Sequence, residues 1–107
     1  MVFGRITCDE LKEMLDNMPP NTTIIDVRET SEVEHTGVIG PSLNIPLSDL
    51  KNAMKKTREK IFRKKFGREK PDQKHLIIFY CLGETRAERG ADMFHSWGYK
   101  KHIRDPR

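Results

Sequence analysis

The most reactive arrangement in this sequence is a thiol followed five residues later by a guanidinium, in Cys81-Leu82-Gly83-Glu84-Thr85-Arg86. A cysteine acts as a nucleophile only as its thiolate, so its surroundings must favour the anion. Leu76, Ile77, Ile78, Phe79 and Tyr80 form a near-continuous apolar run rich in β-branched and aromatic residues, which predicts a strand buried on both faces of a parallel sheet. Cys81 then leaves the carboxyl end of that strand through a glycine-containing turn, and Arg86 stands at the start of a helix. In open α/β sheets this edge binds ligands, and the N–H groups of the following loop and helix start face whatever sits there. Those donors and Arg86 favour a partly ionised thiol at neutral pH. The same residues also fit a plain packing role, since unpaired cysteine is among the most buried residue types. The pattern C-x-G-x-x-R is too short to choose between the two by itself.

Holding such a loop in place takes a sheet with helices around it. Thr7-Cys8-Asp9-Glu10 has the form of a capping box, and Leu11, Met14, Leu15 and Met18 mark the buried face of the helix it opens. Cys8 falls in the first turn of that helix, with no other reactive group beside it in sequence, and reads as structural or incidental. Pro19 and Pro20 end the helix, and Asn21 continues the turn. Thr22 to Val27 predicts a strand running into Asp26 and Arg28, opposite charges suited to a structural ion pair at a strand's carboxyl edge. Glu29 to Glu32 open a short helix with Thr30 or Ser31 as cap. Gly37, Gly40 and Pro41 punctuate a loop before a short strand, Ser42 to Leu47, after which Ser48 caps a basic helix. Beyond a linker from Gly67 to Lys74 and the cysteine strand, a helix over about Thr85 to Ser96 turns Ala87, Ala91, Phe94 and Trp97 inward. Gly98 is placed as its left-handed terminator, and Tyr99 to Ile103 forms a final edge strand. Strands alternating with helices over this length predict an α/β fold, a mainly parallel central sheet flanked by helices on both faces.

Composition narrows the setting. At 107 residues the chain has room for one core, so residues 1–107 are expected to form a single domain. Two cysteines are too few for a disulfide framework, and no secretory hydrophobic region opens the sequence. Reduced thiols in the cytoplasm follow, with a processed mitochondrial form also compatible. No apolar run approaches the roughly 20 residues of a membrane span. The net charge of +4 is unevenly placed: residues 51–70 hold ten Lys or Arg against Glu59 and Glu69, a local +8, so the rest of the chain carries −4. Leu50, Met54, Ile61, Phe62 and Phe66 recur there at near-helical spacing, which predicts a helix, continuous or broken, that docks one apolar stripe and exposes its lysines. Such a face is either simply solvated or recruits an anionic partner. Neither zinc-finger spacing nor repeated aromatic-basic interleaving accompanies the charge, which argues against nucleic acid. His35, His75, His95 and His102 lack metal-ligand spacing.

With its elements in this order, the chain resembles the rhodanese-like sulfurtransferase domain over nearly its whole length. Four landmarks carry the resemblance. Ile6-Thr7-Cys8-Asp9-Glu10-Leu11 is similar to the family's opening helix, and Ile24-Ile25-Asp26-Val27-Arg28-Glu29 matches its Asp-Val-Arg strand end. The segment from Gly37 to Pro46 resembles Gly-His-Ile-x-Gly-Ala-x-Asn-Ile-Pro, and Cys81 to Arg86 has the length of the Cys-x4-Arg active-site loop. Phe62 to Pro71 is similar to the corresponding segment of small single-domain eukaryotic members related to thiosulfate sulfurtransferase. The chain departs from the pattern at Val38, where the family has histidine. It departs again in the loop, usually Cys-x-x-Gly-x-Arg, where Gly83 comes one position early and Glu84 takes the glycine position. It ends at Arg107, ahead of the aromatic and glycine-rich tail of many members.

The resemblance implies a sulfurtransferase that moves a sulfane sulfur from a donor such as thiosulfate or a persulfide to a thiol or cyanide, through a persulfide on Cys81. It casts Cys81 as the catalytic residue, Leu82, Gly83, Glu84, Thr85 and Arg86 as the substrate-binding loop, and Asp26 and Arg28 as structural support. No cofactor, metal or organic, enters that chemistry. The implied partners are a small-molecule sulfur donor and a thiol acceptor, with an anionic partner at residues 51–70 as a further reading. Two other functions compete. One is a rhodanese-like binding module with weak or no turnover, to which Gly83 and Glu84 point. The other is a Cys-dependent phosphatase-like enzyme, against which the loop is one residue short and Glu84 repels a phosphate dianion.

Overall fold

The structure, a computed structural model, describes residues 8–80, 85–99 and 101–103. Its centre is the pairing of two apolar strands distant in sequence. β1 (Thr22–Asp26) and β3 (Leu76–Tyr80) run parallel in register along all five residues, from Thr22 beside Leu76 to Asp26 beside Tyr80. β2 (Leu43–Asn44) adds to the free side of β1 and β4 (Lys101–Ile103) to that of β3, both parallel. The four-stranded order is therefore β2-β1-β3-β4. Asn21 makes the turn into β1 at φ 58°, a conformation asparagine tolerates better than most residues.

Side chains alternate along a strand, so the runs TTIID and LIIFY each supply two faces. Ile24 and Ile78 meet Leu11 of α1 (Cys8–Asp16), with Met14, Leu15 and Met18 packed around them. Ile25, Ile77 and Phe79 face the opposite layer. There they join Ala87, Ala91 and Phe94 of α4 (Thr85–Ser96) and Leu50, Met54 and Phe62 of the basic segment. Phe94 sits edge-on to Phe79 with ring centroids 4.9 Å apart. α4 lies so close to β3 that a Cβ added at Gly90 would come within 2.9 Å of the Phe79 ring, which glycine alone avoids. The first turn of the helix is thereby held over the end of the strand. As its position predicts, Gly98 closes α4 at φ 92°.

Local departures from the sequence expectation have physical causes. The N-cap of α2 (Thr30–Thr36) is Glu29, not Thr30 or Ser31, because the Glu29 N–H donates to Glu32 Oε1 at 3.0 Å. β2 is only two residues long. The chain beyond it still follows β1, with Ile45 N–H donating to the Asp26 carbonyl and Leu47 N–H to that of Val27, but Pro46 has no donor to give. Ser48 lies inside a 3₁₀ turn, Leu47–Asp49, rather than capping a helix. The basic segment is broken: a wide π-helical turn, Asn52–Lys56, stops at Thr57, whose backbone is extended, and α3 (Glu59–Phe66) begins anew. That break resets the helical phase, so Leu50, Met54 and Phe62 are buried while Ile61, expected on the docked stripe, is 53% exposed. Thr7, the expected cap of α1, lies outside the described residues. Among the described residues no helix is long and apolar enough to cross a membrane.

Candidate active site

Asn44, Asp26 and Tyr80 stand side by side across the carboxyl end of three strands. Asp26 is fully buried, and a carboxylate there is costly unless it is paired and hydrogen-bonded. Arg28, two residues on and itself buried, meets both needs. Its backbone N–H donates to Asp26 Oδ1 at 3.0 Å, its Nε to Oδ1 at 3.0 Å and Oδ2 at 3.1 Å, and its Nη2 to Oδ2 at 2.7 Å. The remaining guanidinium protons reach Thr36 Oγ1 at 2.6 Å and the Gly37 carbonyl at 3.0 Å, and the plane lies 5.1 Å over the Tyr80 ring. The hydrogen bond to Asp26 raises the Arg28 pKa further, so the group stays a cation. Asn44 Nδ2 donates to the carbonyls of Asp26 at 3.1 Å and Arg28 at 2.9 Å, which pins β2 to the chain leaving β1.

Arg86, in the first turn of α4, makes a two-pronged ion pair with Glu32. Its Nη1 lies 2.5 Å from Oε1 and its Nη2 3.0 Å from Oε2. The Arg86 bonds, followed by the Glu29 N–H, hold the Glu32 carboxyl down to about 2. α2 is therefore strung between two arginines. Its first turn grips Arg86 through Glu32, and its last turn grips Arg28 through Thr36 and Gly37. The Thr36 hydroxyl joins the two, accepting from Arg28 and donating to the Glu32 carbonyl at 2.9 Å. Sequence reasoning missed both Glu32 and Asn44. The spacing Glu29-x-x-Glu32 was the one local signal, and it speaks of capping rather than of a partner in α4.

Cys81, Leu82, Gly83 and Glu84 lie outside the described residues. Tyr80 before them ends the strand next to β1, and Thr85 and Arg86 after them open α4. Asp26, Arg28 and Arg86 are thus brought to one edge of the sheet, together with Glu32 and Asn44. Two hollows open there. One, about 230 Å³, is lined by Arg28, Thr36, Gly37, Val38, Ile39 and Tyr80. The other, about 120 Å³, lies on the side of the basic segment, beyond Asn44 and Pro46. Among the described residues no group of three or more His, Cys, Asp or Glu is placed to hold a metal ion.

The chain leaves the central strand β3 after Tyr80 and enters α4 at Thr85, so residues 81–84 of the sequence connect that strand of the parallel sheet to the helix. The pattern described as Rhodanese-like domain matches residues 7–105, and the chain belongs to that family. It is 34% identical over 97 residues to a rhodanese domain-containing protein of Drosophila melanogaster, covering 91% of this chain and 85% of that protein. It is 31% identical over 91 residues to the thiosulfate:glutathione sulfurtransferase of Saccharomyces cerevisiae, covering 85% of this chain and 64% of that enzyme. Of that enzyme and two other curated relatives, the chain spans between 55% and 64% of their length. The fold superposes on a single domain sulfurtransferase of Saccharomyces cerevisiae with a TM-score of 0.84 at 26% identity, covering all of this chain and 85% of that one.

Proposed function

We propose that this chain is a single-domain sulfurtransferase of the thiosulfate type, working through a persulfide on Cys81. The observation that carries the reading is that the Cys81-to-Arg86 stretch of the sequence begins where β3 ends, at Tyr80, and finishes in the first turn of α4, in a chain that matches the family along nearly its whole length. At that position the helix start and the cation of Arg86 favour a thiolate on Cys81. The thiolate attacks the outer, sulfane sulfur of thiosulfate. An S–S bond forms at Cys81 as the donor's own S–S bond breaks, and sulfite leaves with the bonding pair. In the second half-reaction a thiolate or cyanide attacks the terminal sulfur of the persulfide, and the electron pair returns to Cys81 Sγ. No net oxidant or reductant is needed. Backbone donors of Leu82 to Arg86 surround the anionic sulfur. Arg86, held in two-pronged fashion by Glu32, positions the end of that loop rather than clamping the donor. Asp26 and Arg28 serve as structural support for the strand end beside it.

The test is intact mass after incubation with thiosulfate. The chain should gain one sulfur atom and release it as thiocyanate on addition of cyanide. Cys81→Ser should gain none, and Cys8→Ser should behave as the parent. A parent chain that gains no sulfur, with thiosulfate or a low-molecular-weight persulfide, overturns the reading. That outcome would favour the binding-module alternative, for which Glu84 at the usual glycine position is the specific observation.

A further inference from the structure

One face of α3 is left unused by the rest of the fold. Ile61 is 53% exposed, and Val38 is the other large apolar side chain in that state among the described residues. On a helix the neighbours of a side chain stand three and four residues away, so Ile61 is bordered by the N-cap Arg58 on one side and by Lys64 and Lys65 on the other. All three are exposed, as is Lys60 beside Ile61 in sequence. Among the described residues none of these four cations makes an ion pair. The two acids of the segment are engaged elsewhere, Glu59 by the Lys70 backbone N–H and Glu69 by Arg63.

The exposure of Ile61 is built in. Met54 and Ile61 have the i, i+7 spacing that would put both on one face of a continuous helix. Met54 is buried, and the break at Thr57 turns Ile61 out into water instead. Lys70 fastens that break through the carbonyls of Met54 and Thr57.

The surroundings decide what the face fits. Lys55 lies 5.5 Å over the Trp97 ring, Lys65 5.4 Å over Phe66 and Lys70 5.9 Å over Phe62, so these rings already carry an ammonium group and are poor platforms for stacking bases. A membrane surface takes a row of apolar side chains along a helix. α3 presents one, since Phe62 is buried and Phe66 half-buried. One aliphatic side chain ringed by cations is the complement of one aliphatic side chain ringed by carboxylates. Eight residues of helix, about 12 Å, match a short segment rather than a standard-size interface.

We propose that the Ile61 face of α3 is a docking surface for an acidic segment of a partner protein, one in which an aliphatic residue is flanked by Asp or Glu. Ile61 supplies the apolar contact, and Arg58, Lys64 and Lys65 supply the charge. Docking there requires no chemistry at Cys81 and stands apart from the sulfurtransferase reading.

In the test the full chain is titrated at low ionic strength with a short synthetic peptide that carries one leucine among aspartates and glutamates, and with the same peptide bearing serine for leucine. The leucine peptide should bind about five- to tenfold more tightly, the worth of burying about half of an aliphatic side chain. Ile61→Ser, a surface change, should melt with the parent and bind the two peptides alike. Exposed charge contacts are each worth a factor of about two to five, so Arg58→Gln combined with Lys64→Gln should weaken both peptides about tenfold, an effect that added salt diminishes. A leucine peptide that binds parent and Ile61→Ser equally, or a parent that binds neither peptide, overturns the inference. Tighter binding of oligouridylate, or of vesicles of phosphatidylserine and phosphatidylcholine, than of the leucine peptide overturns it too, and makes the segment a general polyanion or membrane surface. Sedimentation of the parent alone tests the remaining occupant. A salt-sensitive dimer that Ile61→Ser abolishes would give the face to α1 of a second copy, with its Asp9, Glu13 and Asp16, and would likewise overturn the inference.

Discussion

Two regions of this molecule are built from charged residues, and they use them in opposite ways. At the carboxyl edge of the sheet, Arg28 and Asp26 are 2% and 0% exposed, and the guanidinium hydrogen bonds fall on a carboxylate, a hydroxyl and a carbonyl. In the basic segment the Arg63–Glu69 pair is shorter still, 2.5 Å against 2.7 Å, yet its partners are 56% and 73% exposed. Distance alone therefore says little about what a pair does. Burial sets its weight, because desolvated charges cannot be left without partners, whereas exposed ones are served by water. Lys70 stands between the extremes. Its ammonium is turned back onto the carbonyls of Met54 and Thr57 and lies 5.9 Å from the centre of the Phe62 ring, and its backbone N–H donates to Glu59 Oε1 at 3.1 Å. The sequence led us to expect an exposed charge here, but this lysine closes the broken segment on itself.

The comparison breaks most readily at Arg28. Arg28→Met strands the buried Asp26 carboxylate and should cost about 3–5 kcal/mol, lowering the melting temperature by roughly 10 °C or more. Adding Asp26→Leu should recover a large part of that loss, since it removes the stranded charge. A single variant that melts like the parent would mean that the buried pair carries no special weight. Next in size, Lys70→Met removes the donor to two carbonyls and should cost about 1.5–3 kcal/mol in urea unfolding, although its position in a lysine-rich stretch suggests a replaceable charge.

Glu32→Gln sharpens the comparison through pH. The folded Glu32 pKa, about 2, lies below its ordinary 4.5, so the ionised group stabilises the fold fully above pH 4.5 and loses that contribution as pH falls toward 2. The stability gap between parent and variant should be constant from pH 5 to 8 and should close between pH 4.5 and 2. A gap that is absent at pH 7, or unchanged at pH 2, contradicts the tether. The smallest effect belongs to Arg63→Ala, at most about 1 kcal/mol and falling with added salt. A larger loss would show that the exposed region is held by its charges after all.

The fold was legible wherever one local property decided the outcome. The run Leu76 to Tyr80 is apolar at every position, which only a strand covered on both faces explains. Ala87, Ala91 and Phe94 recur at helical spacing between Thr85 and Gly98, so α4 was bounded correctly. The phase of the basic segment was not legible. A π-helical turn and an extended Thr57 shift the register by an amount that hydrophobic periodicity cannot encode, and Ile61 was placed on the wrong side for that reason. Of the candidate site, Arg86 in the first turn of α4 and the local charge pair Asp26 and Arg28 were legible, while Cys81 to Glu84 lie outside the described residues. The partner of Arg86 was hidden because nothing in the neighbourhood of either residue refers to the other, and Asn44 because its side chain bonds backbone rather than side chain.

Glu32 and Arg86 are 54 residues apart, the same offset that separates β1 from β3 in register, from Thr22 beside Leu76 to Asp26 beside Tyr80. That coincidence has a kinetic consequence. The link between Asp26 and Arg28 spans two residues and can close while the chain is still short, but the Glu32 latch waits for half the protein to be made and for the strands to zip. Interactions formed after the rate-limiting step act on unfolding rather than folding, so in stopped-flow measurements Glu32→Gln should raise the unfolding rate and leave the refolding rate nearly unchanged. A nascent chain would then fasten α2 to α4 last, and the closed Glu32 latch would mark a chain that has finished folding.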